Sequence, residues 1–200
     1  MVDIWGEQPK TPGATYVAHP SRVLINGQAI LVNGKPATPR VRRRPRDSQR
    51  SKLYSAELAV RGTDRGPGAL PSPCPLETLQ RYVDGITASA WWRDYVGARR
   101  RKVTVRDGRG RVKAGSYTYQ AAITMPHWSR NRFVTLHELA HQATDAAHGP
   151  DNAAGHGPEY AGMLLSLVSR FLGTAKAAEL RDSYRKYGVK YRLPQKRGSR

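Results

Sequence analysis

The stretch that most constrains this chain is Val134-Thr135-Leu136-His137-Glu138-Leu139-Ala140-His141, because it asks for a helix and a cation at once. Phe133, Leu136, Ala140 and Ala143 recur at helical spacing, which predicts a helix over about 131–147. On that helix His137 and His141 stand one turn apart on the same face. Both imidazoles can then reach one ion at the zinc–nitrogen distance of about 2.0–2.1 Å. Glu138 follows about 100° round the helix, so it flanks the ion and reaches a water held there. Zinc draws the pKa of such a water towards 7, and a neighbouring carboxylate takes its proton as the water attacks a carbonyl. A chance match to His-Glu-x-x-His is expected only about 0.005 times in a chain of this length and composition, so coincidence explains it poorly.

A zinc site of this kind needs a third protein ligand. Thr144 and Ala147 stand where a metzincin continuation requires Gly and His, which excludes that arrangement. His148 lies about 10 Å along the helix from His141, too far to share an ion. Asp145 reads as a residue behind the ligands or facing solvent, and Asp151 is a further carboxylate in the loop. Beyond the Gly-rich loop 149–157, the segment Gly155-His156-Gly157-Pro158-Glu159-Tyr160 offers His156 and Glu159. His156 is the favoured third ligand and Glu159 the alternative, since a carboxylate in a helix's first turn also complements the helix dipole.

The rest of the chain sets the frame. Residues 1–46 carry six Pro and end in a basic run, and they read as an extension with a small hairpin turning at Asn26-Gly27 or Asn33-Gly34. From Asp47 a helix is expected, capped by Asp47 or Ser48, with Leu53, Ala56 and Val60 on its buried face. Leu76, Leu79, Val83 and Ile86 stripe a second helix. Alternation then predicts two or three antiparallel strands at roughly 102–106, 111–119 and 120–125, with Asp107-Gly108 as a turn. After the metal-site helix, Pro158 opens a strongly striped helix that stops at Gly173, and a last helix stops at Gly188. Helices, then strands, then helices make the class α+β, with a domain over 47–190 and a basic tail over 191–200. Cys74 is the sole cysteine, so neither disulfides nor a cysteine-held zinc is available. No apolar stretch approaches the roughly 20 residues that span a bilayer.

His-Glu-Leu-Ala-His followed by Gly-His-Gly-Pro-Glu-Tyr resembles the SprT-like zinc metallopeptidases. Their pattern is HExxH, a loop, then His-Gly and an aromatic on the next helix, the place of Tyr160. Residues 46–57 also resemble the opening of small uncharacterised metallohydrolases of actinobacteria and their phages. The resemblance covers about 46–190 and implies a zincin-like fold: a small antiparallel or mixed sheet whose edge strand lines the cleft, packed on the active-site helix. It implies His137, His141 and His156 as zinc ligands, Glu138 as general base, and a peptide or protein substrate. The expected location is cytoplasmic, or the host cytoplasm or virion if the chain is phage-encoded, since the first residues lack the apolar core of a secretory signal.

The net charge of +19 is concentrated in three blocks, at 40–52, 99–113 and 181–200, while 121–180 is near neutral. Clustered cations attract polyanions, so nucleic acid is an expected partner. The best-placed residues for it are Arg99, Arg100, Arg101, Lys102, Arg106, Arg109, Arg111 and Lys113, partly held on strands. Two other functions remain open: a nucleic-acid-binding or virion-associated protein with a structural or degenerate metal site, and a zinc hydrolase of a non-peptide amide. Trp128 reads as core packing. Arg130, Arg132, Tyr184 and Tyr187 are candidates for stabilising an oxyanion.

Overall fold

The computed structural model describes residues 45–62, 70, 73–97, 102–149 and 152–196, together with the paired segments 24–25, 28–29, 31–32 and 35–36. The chain divides into two compact units, Met1–Val41 and Arg42–Arg200. In the first unit, β1 (Leu24–Ile25) pairs with β2 (Gln28–Ala29), and β3 (Leu31–Val32) pairs with β4 (Lys35–Pro36), both antiparallel. Each of the two Asn-Gly pairs therefore sits between paired segments, where one hairpin was expected.

The second unit is α+β. Its described elements are α1 (Arg50–Arg61), α2 (Leu76–Ala88), α3 (Ala90–Tyr95), β5 (Thr104–Asp107), β6 (Gly115–Tyr117), β7 (Ala122–Met125), α4 (Arg132–His148), α5 (Pro158–Phe171) and α6 (Thr174–Tyr187). The sheet is mixed, in the order β5-β7-β6, with β5 parallel to β7 and β6 antiparallel to it. Alternation alone read these strands as antiparallel, whereas the expected fold allowed an antiparallel or a mixed sheet, and the mixed one forms. Burial decides the difference: all four residues of β7 are buried, whereas β5 is largely exposed. The apolar strand takes the centre and separates the two strands that flank the Asp107-Gly108 turn. Gly108 has a steric reason to be glycine, because a Cβ there would collide with Pro126.

Gln80 on α2 finishes the β5 side of the sheet. Its amide donates to the Val103 carbonyl at 2.9 Å and accepts from the Val105 N–H at 2.7 Å, as a neighbouring strand would. Gln142 on α4 also bonds the sheet, donating to Ser116 Oγ of β6 at 2.9 Å and to the Ala122 carbonyl of the central strand β7 at 3.2 Å. It holds α4 against β6.

One core joins these elements. Leu53, Ala56 and Val60 of α1, Ile123 and Met125 of β7, Leu136, Leu139 and Ala140 of α4, and Leu164 and Leu167 of α5 are all buried in it. Each large aliphatic side chain so buried contributes about 1.5–3 kcal/mol. Helix α1 is also tied by polar bonds: Lys176 Nζ donates to the Val60 carbonyl at 2.7 Å, and Ser183 Oγ to the Ala56 carbonyl at 2.8 Å. At its start, the Gln49 side chain bonds the Lys190 backbone through both its oxygen and its nitrogen. The placement of α1 matters below, because it presents two residues to the site.

Residues expected to form a tail from 191 onwards run close to α5 at their start. The Arg192 N–H donates to the Pro158 carbonyl at 2.8 Å, and a Cβ on Gly162 would meet the Arg192 carbonyl. Gly162→Ala should therefore displace this segment and cost about 1–3 kcal/mol, the usual range for overpacking. Urea denaturation measures it, and an unchanged midpoint would show that the segment does not hold this position in solution. Among the described residues no helix is long and apolar enough to cross a membrane.

Candidate metal centre

Asn131 starts α4 by accepting the Val134 N–H on its side-chain oxygen at 2.9 Å, and it thereby sets the phase of the helix. That phase turns His137 and His141 towards the loop preceding α5, which brings His156 to them. The ligand atoms of His137, His141 and His156 lie within 4.8 Å of one another, close enough to hold a metal ion. The ring centroids are 5.2 Å apart for His137–His141, 4.8 Å for His141–His156 and 5.6 Å for His137–His156. Tyr160, fully buried, lies beneath all three rings and donates its hydroxyl to the His137 carbonyl at 3.1 Å.

Two of the histidines are oriented by carboxylates. His137 Nδ1 donates to Glu57 Oε2 at 2.8 Å, and His156 Nδ1 donates to Asp47 Oδ2 at 2.8 Å. Fixing Nδ1 in this way turns Nε2 of each ring towards the shared space, where the Tyr54 hydroxyl faces that of His156 and an ion would take its place, the arrangement by which carboxylates raise the basicity of a metal-bound imidazole. Three imidazoles suit zinc, copper, iron or nickel rather than magnesium or calcium. The donor set and its outer carboxylates thus fit a transition-metal ion. Asp47 or Ser48 was expected to cap α1. Instead the helix begins at Arg50 with Gln49 as an uncapped start, and the Asp47 carboxylate serves His156.

Electrostatics set the working state of each group. Burial lowers the His156 pKa more than its Asp47 partner raises it, which keeps the ring neutral as a ligand must be. Burial also opposes charge on His137, but there Glu57 and Glu138 outweigh it and the pKa rises. The Glu138 carboxyl is pushed up to about 7, mainly by burial; His137 works against the rise and the charge of Glu57 adds to it. Tyr54 on α1 brings its hydroxyl to 3.2 Å from His156 Nε2, at the open side of the cluster. Burial holds its phenol above the ordinary pKa, so it is a neutral donor.

A cleft of about 310 Å³ opens over the three histidines, bordered by Ala114, by Gly115 and Ser116 of the β6 edge, and by Tyr54 and Glu138. Asp145 borders it too, beside His141. Glu159 is not part of the histidine group: its carboxylate lies 3.0 Å from Arg192 Nη1. His148 is exposed in the last turn of α4, and Asp151 falls outside the described residues. None of Arg130, Arg132, Tyr184 and Tyr187 borders the cleft; Arg130 pairs with Asp107 at 2.7 Å, and Tyr184 is buried behind α5 with its hydroxyl towards the Ala161 carbonyl. Trp128, expected in the core, is half exposed, because the short turn His127–Ser129 after Pro126 carries it outwards.

Of the residues expected to meet nucleic acid, Arg99, Arg100 and Arg101 lie outside the described residues. Lys102 pairs with Asp84 at 3.4 Å, Arg106 donates to Gln120 Oε1 at 2.6 Å, and Arg109 lies 3.6 Å from Asp107. Arg111 donates to the Tyr117 hydroxyl, and Lys113 borders a second cavity beside Glu138.

Asp47, Tyr54 and Glu57 are the site residues that sequence reasoning missed. One signal did exist. Glu57 falls four residues after Leu53 and three before Val60, on the stripe that was expected to be buried, and a carboxylate there needs a partner. Comparison with protein-family models, curated proteins and solved structures gives no match.

Proposed function

We propose that the chain is a zinc-dependent hydrolase of zincin-like, SprT-like type, and that it acts as a metallopeptidase. The observation that carries this reading is the convergence of His137, His141 and His156 with Glu138 beside them, in a cleft edged by a short strand. When bound, zinc supplies Lewis-acid polarisation of the scissile carbonyl and a lowered pKa for its water. The protein does the rest. Glu138 accepts the proton of the attacking water on its carboxylate and returns it to the departing amine. Tyr54 donates its hydroxyl to the oxygen on which charge develops. The β6 edge offers backbone groups along which an extended peptide can lie. A closed structural site would need no base, which is why Glu138 favours catalysis over a structural role.

The direct test is substrate profiling of a cell extract with the wild type beside Glu138→Gln. Peptide termini that appear only with the wild type support the reading; identical profiles count against it.

The outer carboxylates give a separate prediction. Glu57→Gln and Asp47→Asn should each weaken zinc binding by about 10–100-fold, the usual effect of losing a carboxylate behind a ligand histidine. Competition with a chromophoric chelator reads this without any substrate. Wild-type affinity in both variants would show that the two bonds do not orient the ligands.

A further inference from the structure

Beside the histidines, on the Glu138 side, lies a second cavity of about 360 Å³ that the hydrolytic reading leaves unassigned. His137 and Glu138 border both this cavity and the cleft described above, and His141 and His156 border the cleft alone. Leu58, Phe133 and Trp128 line it with apolar surface, although Leu58 is 64% and Trp128 51% exposed. Large apolar side chains left open at a cavity mouth mark a place where something apolar is received.

The polar part of the lining includes three cations, Arg50, Arg61 and Lys113. Arg61 comes from the end of α1, its guanidinium 5.7 Å from the centre of the Trp128 ring, and Lys113 comes from the segment before β6. Neither pairs with a carboxylate among the described residues. Arg50 stands at the border with the cleft, 5.4 Å from the centre of the Tyr54 ring. Two carboxylates also border the cavity, but Glu57 is committed to His137 and Glu138 to proton transfer. An apolar lining beneath Arg61 and Lys113 complements an apolar body that carries negative charge. A negatively charged group is drawn to both cations, and a cationic group would be repelled.

Proton bookkeeping decides which half of a substrate enters. In hydrolysis the water oxygen bonds to the carbonyl carbon, the carbon–nitrogen bond breaks, and the proton taken by Glu138 goes to the departing nitrogen. The amine-bearing half must therefore lie next to Glu138, at the mouth of this cavity. Resting on the hydrolytic reading, we propose that the cavity receives the residue that follows the scissile bond and selects one bearing a carboxylate on an apolar body. The carboxylate can be an acidic side chain or the C-terminal carboxylate of the peptide.

Four otherwise identical peptides separate these sources: the residue after the scissile bond is Phe with a free terminus, Phe amide, Glu amide or Lys amide. Cleavage with the free-acid Phe should exceed that of Phe amide by about 10-fold or more in kcat/KM, the worth of one charge-assisted hydrogen bond, if the terminal carboxylate is read. Glu amide should lead if a side-chain carboxylate is read. In both cases Lys amide should be slowest, and Arg61→Glu should lift it relative to the others. Binding provides an arm free of turnover. The zinc-loaded chain should bind 3-phenylpropanoate at least about 10-fold more tightly than 3-phenylpropanamide by calorimetry. The double variant Arg61→Gln/Lys113→Gln should lose that difference while keeping its zinc. An acid preference that survives in the double variant belongs to the metal and overturns the assignment, as does equal handling of all four peptides. Displacement of the acid by oligothymidylate but not by acidic peptides would give the cations to a nucleic-acid strand and also overturn it. A preference lost in the double variant, with no peptide cleaved at all, supports the selectivity of the cavity and counts against the hydrolytic reading alone.

Discussion

Glu138→Gln should keep the zinc content of the wild type and lose about 10²–10⁴-fold in kcat, the range that positioned acid–base groups supply. The amide keeps the size and polarity of the carboxyl and cannot take up a proton, so the loss isolates proton transfer from packing. The pH profile sharpens the test. Burial and the charge of Glu57 place the Glu138 pKa at about 7 in the metal-free protein, against the opposing effect of His137. A divalent cation beside the carboxylate favours its charged form and moves the pKa down. The base is active when deprotonated, so kcat/KM should fall as pH drops through a value below 7. In Glu138→Gln the residual rate should lose that acid limb. Full turnover with the same limb in the variant would remove Glu138 as the base.

What the sequence made legible follows from how local each signal is. His137, Glu138 and His141 could be placed because i and i+4 on one helix is a relation within a single turn, and α4 forms within a residue of its expected bounds. His156 was reachable because only a Gly-rich loop separates it from that helix. Asp47 and Glu57 meet their histidines across 109 and 80 residues of chain, and no periodicity encodes such a distance. The two readings at the start of α1 competed: an Asp before an apolar stripe suggests a cap, while in the folded chain a buried imidazole is the stronger claimant for the same carboxylate. Strand existence was legible from alternation, but strand order was not, because the pairing of β5 with β7 depends on which strand the core must bury. Trp128 was misplaced for a related reason. Its size suggests burial, and the turn after Pro126 decides otherwise.

The three histidine variants should lose zinc for one reason and lose stability for another. His137→Ala, His141→Ala and His156→Ala each leave two ligands, so each should weaken zinc binding by more than the roughly 10–100-fold expected of a change behind the ligands. Glu159→Ala should leave it near the wild-type value, because that carboxylate is turned to Arg192. Zinc held as tightly in His156→Ala as in the wild type would remove His156 from the site. Stability of the metal-free forms separates the ligands further. His137→Ala strands Glu57, whose side chain is 9% exposed, and an uncompensated buried charge costs up to about 3–5 kcal/mol unless the group takes up a proton. His156→Ala strands Asp47, which is 29% exposed and can turn to water, so its cost should be smaller. Thermal unfolding of the metal-free variants should therefore rank His137→Ala below His156→Ala. Adding Glu57→Gln to His137→Ala should recover stability without recovering zinc, because it removes the stranded charge and supplies no ligand. Recovery of neither would mean that the imidazole of His137 supports α1 by packing rather than by neutralising Glu57.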